Sequence, residues 1–180
     1  MPRPLILYIA SSLDGFIAGP DDDLSFLSRV EQEGENYGYA AFMQQVDTVL
    51  VGRRTYDKVM SMVPVFPHAH LETWVITRTA RPALGKLNFY TGDIPSLVHT
   101  LKSRAGKTIF CDGGAQLIHS LLTAQLVDEI ILSIVPVLLG KGIRLFTDSF
   151  PEQSLQLLSS RSFTSGLVQL HYRVLHDSTG

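Results

Sequence analysis

Apolar residues fall along the chain in short runs cut apart by glycine, proline and charge, and the runs show two periods. Residues 4–10 are a continuous apolar run that predicts a buried first strand. The Ser-Ser-Leu-Asp-Gly stretch at 11–15 breaks it, residues 16–18 form a short extended piece, and 19–23 read as a turn. Asp23 then stands where an aspartate caps a helix start over residues 24–27. Charge and glycine make 29–36 a surface loop. Residues 37–46 carry helical spacing, 48–51 a second strand and 55–60 a short helix. Two prolines and two histidines mark 64–70 as a loop in which His68 and His70 read as a surface pair. Strands follow at 72–77 and 87–90, then a helix at 94–104 with Pro95 tolerated in its first turn. A strand at 109–111 runs into a helix at 115–122. Residues 127–135 are the longest strand candidate, 136–143 an apolar loop. Residues 155–163 and 167–174 alternate around a Thr-Ser-Gly turn as an antiparallel hairpin.

This order of strands and helices predicts one α/β domain over residues 1–180. Its sheet is mixed and mostly parallel, with helices on both faces and an antiparallel C-terminal hairpin. The stretch 108–122 stands at its centre. Gly113-Gly114 joins a buried strand directly to a helix, which is either a tight turn or a cradle of free N–H groups for an anion. Two other strand ends resemble it in chemistry. The second strand ends in Gly52-Arg53-Arg54-Thr55 and the third in Thr77-Arg78. In an open parallel sheet, ligands bind outside the carboxyl ends of the strands. All three endings are therefore expected on one rim, with arginines suited to charge-assisted bonds to phosphate. Each alone has a plain reading: a solvated arginine, a threonine helix cap, a glycine turn.

Composition narrows the field. The 180 residues carry a formal charge of −2, so no electrostatic footprint for nucleic acid or an anionic membrane is present. No apolar run approaches a membrane span, and the N-terminal apolar run is short for a signal segment. A single cysteine, Cys111, forms no internal disulfide, and its apolar setting makes it a core residue; a reducing, cytoplasmic location is the expectation. Gly106-Lys107-Thr108 mimics the end of a P-loop. The first glycine of that motif would fall at Leu101, however, and the segment precedes a strand instead of following one. No Gly-x-Gly-x-x-Gly follows the first strand, and no metal-ligand spacing is evident.

Taken in order, Ile-Ala-Ser-Ser-Leu-Asp-Gly-Phe-Ile-Ala-Gly, Val-Gly-Arg-Arg-Thr-Tyr, Val-Ile-Thr-Arg, Asp-Gly-Gly-Ala-Gln-Leu-Ile and Pro-Val-Leu-Leu-Gly-Lys-Gly-Ile-Arg-Leu-Phe cover nearly the whole chain. The series resembles the dihydrofolate-reductase-like superfamily, in particular the branch of the riboflavin-biosynthesis reductase domain, RibD C-terminal type. The resemblance implies a three-layer α/β/α fold and an NADPH-dependent reductase. By position, Gly52, Arg53, Arg54 and Thr55 would hold the pyrophosphate and adenosine phosphate, and Thr77 and Arg78 the 2′-phosphate. Gly113, Gly114, Ala115 and Gln116 would cover the pyrophosphate and nicotinamide side, with a cis peptide at Gly113–Gly114. Ala10 and Ile17 would offer backbone groups to the carboxamide. A carboxylate, Asp14 or Asp23, would relay the proton. Relatives pair through their C-terminal strands, which implies a homodimer with 167–174 as the apolar edge. No deaminase segment is attached, so a stand-alone member acting on a small polar substrate is expected. A nucleotide-binding module or sensor without turnover would share the same rim.

Overall fold

A computed structural model of the chain describes residues 2–176. In chain order the elements are β1 (Leu5–Ser12), β2 (Phe16–Ala18), 3-10 turns at Pro20–Asp22 and Ser25–Val30, α1 (Tyr39–Met43), β3 (Val46–Gly52) and α2 (Arg53–Met62). Next come β4 (Glu72–Ile76), β5 (Leu87–Tyr90), α3 (Ile94–Ser103), β6 (Thr108–Cys111) and α4 (Ala115–Thr123). The chain closes with β7 (Glu129–Val135), β8 (Ile143–Arg144), β9 (Ser154–Ser162) and β10 (Val168–Leu175).

Eight strands form one sheet in the order β5-β4-β3-β6-β1-β7-β10-β9, while β2 and β8 make a separate two-stranded ribbon. From β5 to β7 every neighbouring pair is parallel; β10 runs antiparallel to both β7 and β9. Strand alternation sorts the side chains onto two faces. On one, Leu5, Leu7, Leu50, Ile109 and Cys111 pack under Leu97, Val98 and Leu101 of α3 and Leu117, Ile118 and Leu121 of α4. On the other, Ile6, Val49, Phe110 and Ile131 meet Phe42 of α1, and Val51 and Val75 meet Tyr56 of α2. This is the expected three-layer α/β/α arrangement. β6, flanked by β3 and β1 and covered on both faces, is buried along its whole length, as its unbroken apolar run requires. Cys111 is fully buried and burial pushes its thiol up to about 12, which leaves it a core residue.

Several boundaries differ from those read in the sequence, each for a physical reason. β1 does not stop at the serines. Ser11 and Ser12 are buried and stay in the ladder opposite Ile134 and Val135, and Ser12 Oγ accepts the Phe16 amide at 2.9 Å. The helix expected over 37–46 shrinks to Tyr39–Met43. It opens at Gly38, which has φ +84°, and Val46 is claimed by β3. The helix expected after Asp23 is a 3-10 turn. The sheet's edge is β9, not residues 167–174: β10 lies between β7 and β9, and the edge strand is exposed throughout. At the end of the sheet away from the rim, buried Arg3 is ion-paired to Asp47 and donates to Thr48 Oγ1 at 2.7 Å and the Lys107 carbonyl at 2.7 Å. Those bonds tie the entries of β1, β3 and β6 together. No described helix is long and apolar enough to cross a membrane.

Candidate active site

β4, β3 and β6 are adjacent and parallel, so their carboxyl ends, Thr77-Arg78, Gly52-Arg53 and Gly113-Gly114, lie side by side. Two of these ends touch. The Gly52 amide donates to the Gly113 carbonyl at 2.7 Å. The peptide between Gly113 and Gly114 is cis, as the resemblance implied. A methyl group added at Gly52 would stand 3.3 Å from the Gly114 nitrogen, and one at Gly114 only 2.9 Å from Thr55 Oγ1. Side chains at either glycine would fill the space between the two helix starts. Gly52 and Gly114 are the N-caps of α2 and α4, and neither helix has a side chain capping its first-turn amides. Those donors are left for an outside acceptor, and both helix dipoles favour an anion there.

The cations of the rim differ in availability. Arg53 is paired with Asp57 one turn along α2 at 2.8 Å, and Arg54 reaches Asp22 at 3.2 Å. Both pairs are exposed, and such bridges are weak enough to give way to a phosphate. Arg78 is exposed and makes no ion pair among the described residues. The neighbouring Thr77 is buried; its hydroxyl accepts the Thr79 amide at 3.1 Å and so fixes the turn that carries Arg78. Ala115 and Gln116 form the first turn of α4, with Gln116 exposed.

Both carboxylates singled out in the sequence are engaged elsewhere. Asp14 accepts from Ser12 Oγ at 2.6 Å and from the amides of Leu139 and Gly140 at 3.0 and 2.7 Å. The Ser12 bond above all, with the two amides adding, holds its carboxyl down at about 2. Asp14 is thus an ionised pin between the β1–β2 turn and the 136–143 loop. Asp23 accepts the Ser25 amide at 3.0 Å and Ser25 Oγ at 2.8 Å, and these bonds lower its pKa as well. It does cap the turn that follows. Ile17, in β2, packs against the core on the α4 side.

A third carboxylate, Asp112, was not singled out in the sequence. It directly follows β6, its amide held by the Leu50 carbonyl at 2.9 Å. Two residues from Phe110, it faces the α1 side of the sheet. Its side chain keeps about a quarter of its surface accessible (26%) yet is densely surrounded by protein, and that burial pushes its carboxyl from 3.8 up to about 7. His68 approaches it, Nε2 to Oδ2 at 3.7 Å, and the same nitrogen lies 3.3 Å from the Tyr39 hydroxyl. His68 is therefore no surface residue. It is buried edge-on between Phe66 and Phe110, and burial, helped by His70, lowers its pKa to about 4. Burial likewise raises that of Tyr39. Burial thus keeps His68 and Tyr39 uncharged at neutral pH and leaves Asp112 partly protonated there. The sequence signal for Asp112 was its place before the glycine pair; nothing local marked His68 as inward-facing.

Tyr39 also lines a cavity of about 560 Å³ on this face. Ala10 of β1 and Ser133 and Val135 of β7 form its floor, and Leu27, Val30 and residues 31–37 close over it. Ala10 thus places the cavity over β1, the sheet neighbour of β6, whose carboxyl end carries Gly113. The rim and the cavity together give an anion cradle next to a chamber of substrate size. Among the described residues no cluster of histidine, cysteine or carboxylates could hold a metal.

Comparison with known proteins agrees with this fold. The model of the RibD C-terminal domain matches residues 3–169. YwjB of Bacillus subtilis strain 168, whose name carries no activity, is 38% identical over 173 residues, which is 96% of this chain and 98% of that protein. A protein from Shewanella sp. PV-4, provisionally named for riboflavin biosynthesis, superposes with a TM-score of 0.87 at 27% identity over 98% of this chain and 100% of the other. A Thermotoga maritima diaminohydroxyphosphoribosylaminopyrimidine deaminase/5-amino-6-(5-phosphoribosylamino)uracil reductase shares the fold, with a TM-score of 0.68 at 17% identity over 96% of this chain and 57% of that one.

Proposed function

Because the chain belongs to the RibD C-terminal domain family, a family of reductase-like domains, we propose that it is an NADPH-dependent reductase acting on a small polar substrate. The observation that carries this reading is the contact of the two glycine strand ends, Gly52 N to Gly113 O at 2.7 Å, which sets two uncapped helix starts side by side beside a cavity. NADPH, when bound, supplies the hydride; the protein positions, shields and protonates. Gly52, Arg53, Arg54 and Thr55 hold its pyrophosphate and adenosine phosphate, and Thr77 and Arg78 its 2′-phosphate. Gly113, Gly114, Ala115 and Gln116 cover the pyrophosphate and nicotinamide side, while backbone groups of Ala10 and Ile17 orient the carboxamide. The proton comes from Asp112, whose carboxyl, raised to about 7 by burial, still holds its proton in a large share of molecules near neutrality, and not from Asp14 or Asp23, whose oxygens are committed to local hydrogen bonds.

Titrating the protein with NADPH should give saturable binding below about millimolar. Arg78→Ala should weaken NADPH by about 1.5–3 kcal/mol, the range for hydrogen bonds to charged groups, and leave NADH within about twofold. Equal losses for both cofactors would remove Arg78 from the 2′-phosphate. Bound cofactor that no acceptor oxidises, across pteridines, pyrimidines and quinones, would instead favour a sensor.

The same reading pairs two copies through the C-terminal hairpin. β9 is an uncovered edge, and Leu155, Leu157, Val168 and Leu175 are exposed on it and its neighbour. Light scattering should return twice the chain mass; a monomer mass rejects the pairing.

A further inference from the structure

The cavity beside Ala10 has a charge pattern of its own. Its mouth is formed by the 31–36 segment, Glu-Gln-Glu-Gly-Glu-Asn, and the side chains of Glu31, Glu33 and Glu35 stand exposed around it. None of its lining residues is lysine, arginine or histidine. Arg161 lies outside the lining, its guanidinium 5.1 Å from the centre of the Phe163 ring, though its charge is felt at the Tyr8 hydroxyl. Inside, Tyr8 and Tyr39 present aromatic walls. Tyr8 is held by hydrogen bonds to the Tyr37 carbonyl at 3.0 Å and from Gln169 Nε2 at 3.0 Å. Ser133, 5% exposed, sits on the floor. Its oxygen accepts from Gln169 Nε2 at 3.0 Å, so its own O–H is left to donate, and no described residue accepts it.

We propose that this cavity selects a phosphate-free substrate, an uncharged or cationic planar heterocycle seated between the tyrosines with a polar atom on Ser133, and that the glutamate mouth turns away phosphorylated analogues. The proposal rests on the reductase reading and specifies its substrate class. A volume of about 560 Å³ accommodates one or two fused rings with small substituents. A phosphate monoester is normally met by arginine, lysine or a helix N-terminus. Here its two negative charges would come up against three carboxylates, with Arg161, outside the lining, as the nearest cation to offset them. Each such repulsion across a solvated mouth is worth about two- to fivefold in affinity. The Thermotoga reductase is named for a phosphoribosyl compound; the lining of this chain argues for a different occupant.

The test uses the intact protein saturated with NADPH, with cofactor binding read separately by nicotinamide fluorescence. Calorimetry then compares matched pairs: 5-amino-6-ribosylaminouracil with its 5′-phosphate, and uridine with its 5′-phosphate. The phosphate-free member should bind about tenfold more tightly or better in at least one pair. The double variant Glu31→Lys, Glu33→Lys, confined to the exposed loop, should shrink that gap at least about fivefold, and raising salt should shrink it too. Phosphorylated members that bind as tightly as their partners, or a gap indifferent to the charge reversal, overturn the proposal. Either result leaves the reductase reading standing as long as the fluorescence titration saturates. Failure of that titration counts against the cofactor, whatever the pairs do.

Discussion

Replacing Gly142 by alanine should lower stability by about 3 kcal/mol or more, through backbone strain and overpacking together. Gly142 has φ +138°, a region side chains rarely enter, and a methyl group there would stand 2.1 Å from the Ala18 carbonyl oxygen and 2.9 Å from the Gly19 Cα. Both neighbours are backbone, so neither can swing aside. No described glycine has a closer approach. The strand that would have to move is β2, which pairs Ala18 with Ile143 and carries Ile17. For a chain of this size the loss corresponds to about 6–12 °C in melting temperature. Gly140→Ala is the control. Its φ of +73° is also unfavourable to alanine, but a methyl there meets nothing within 4 Å, so the cost should be about 1 kcal/mol. Equal melting temperatures for the two variants would mean that the close approach at Gly142 is not maintained in solution.

That junction shows why the candidate site was only partly readable from the chain. Periodicity located β3, β4, β5, β6, α3 and α4 to within a residue or two, because each must bury a face against the sheet and its pattern says so. General rules for α/β sheets then put the carboxyl ends of β4, β3 and β6 on one rim; that the three strands are neighbours in this order and that Gly52 meets Gly113 came only with the structure. What failed was local reasoning about polar residues whose partners are distant. Asp14 reads as a turn residue or as an acid, and only the fold reveals that two of its bonds go to amides some 125 residues later in the chain. Ser11 and Ser12 read as a break, because nothing in their neighbourhood indicates that β7 will pair with them.

The proposed proton donor was missed for a related reason. Asp112 stands between the strand at 109–111 and Gly113, where an aspartate needs no explanation. Its chemistry comes from burial, to which the 64–70 loop contributes by bringing His68 against Phe110, with Phe66 behind it. That loop has no periodicity to analyse. The two prolines and paired histidines that suggested solvent are compatible with an inward turn once the aromatic ring of Phe66 anchors it in the core beside Tyr56.

Asp112→Asn should make the protein more stable and less active at once. In the folded chain burial raises the carboxyl from 3.8 to about 7. Below about pH 4 both folded and unfolded chains hold the proton and nothing is lost. Between about pH 4 and 7 the unfolded chain releases it while the native one keeps it, so this group's share of stability declines as pH rises through that window and then levels off. A shift of this size sets a ceiling of about 4 kcal/mol, and the accessible quarter of the side chain brings it to about 1–3 kcal/mol. Asparagine keeps the shape and never ionises. Its melting temperature should exceed that of the wild type by about 3–9 °C at pH 8 and match it near pH 4. Turnover should fall by about 10²–10⁴-fold, the usual loss when a general acid is removed, with NADPH affinity unchanged. Wild-type kcat/KM should decline above about pH 7 as Asp112 ionises. His68 and Tyr39, the titratable groups facing it, stay neutral across that range and add no second limb. A purely structural aspartate would behave the other way, destabilised by the amide with turnover spared. Loss of activity and gain of stability in the same variant is the signature of a carboxyl buried for its proton, and a variant that loses stability while keeping turnover would assign Asp112 to the framework instead.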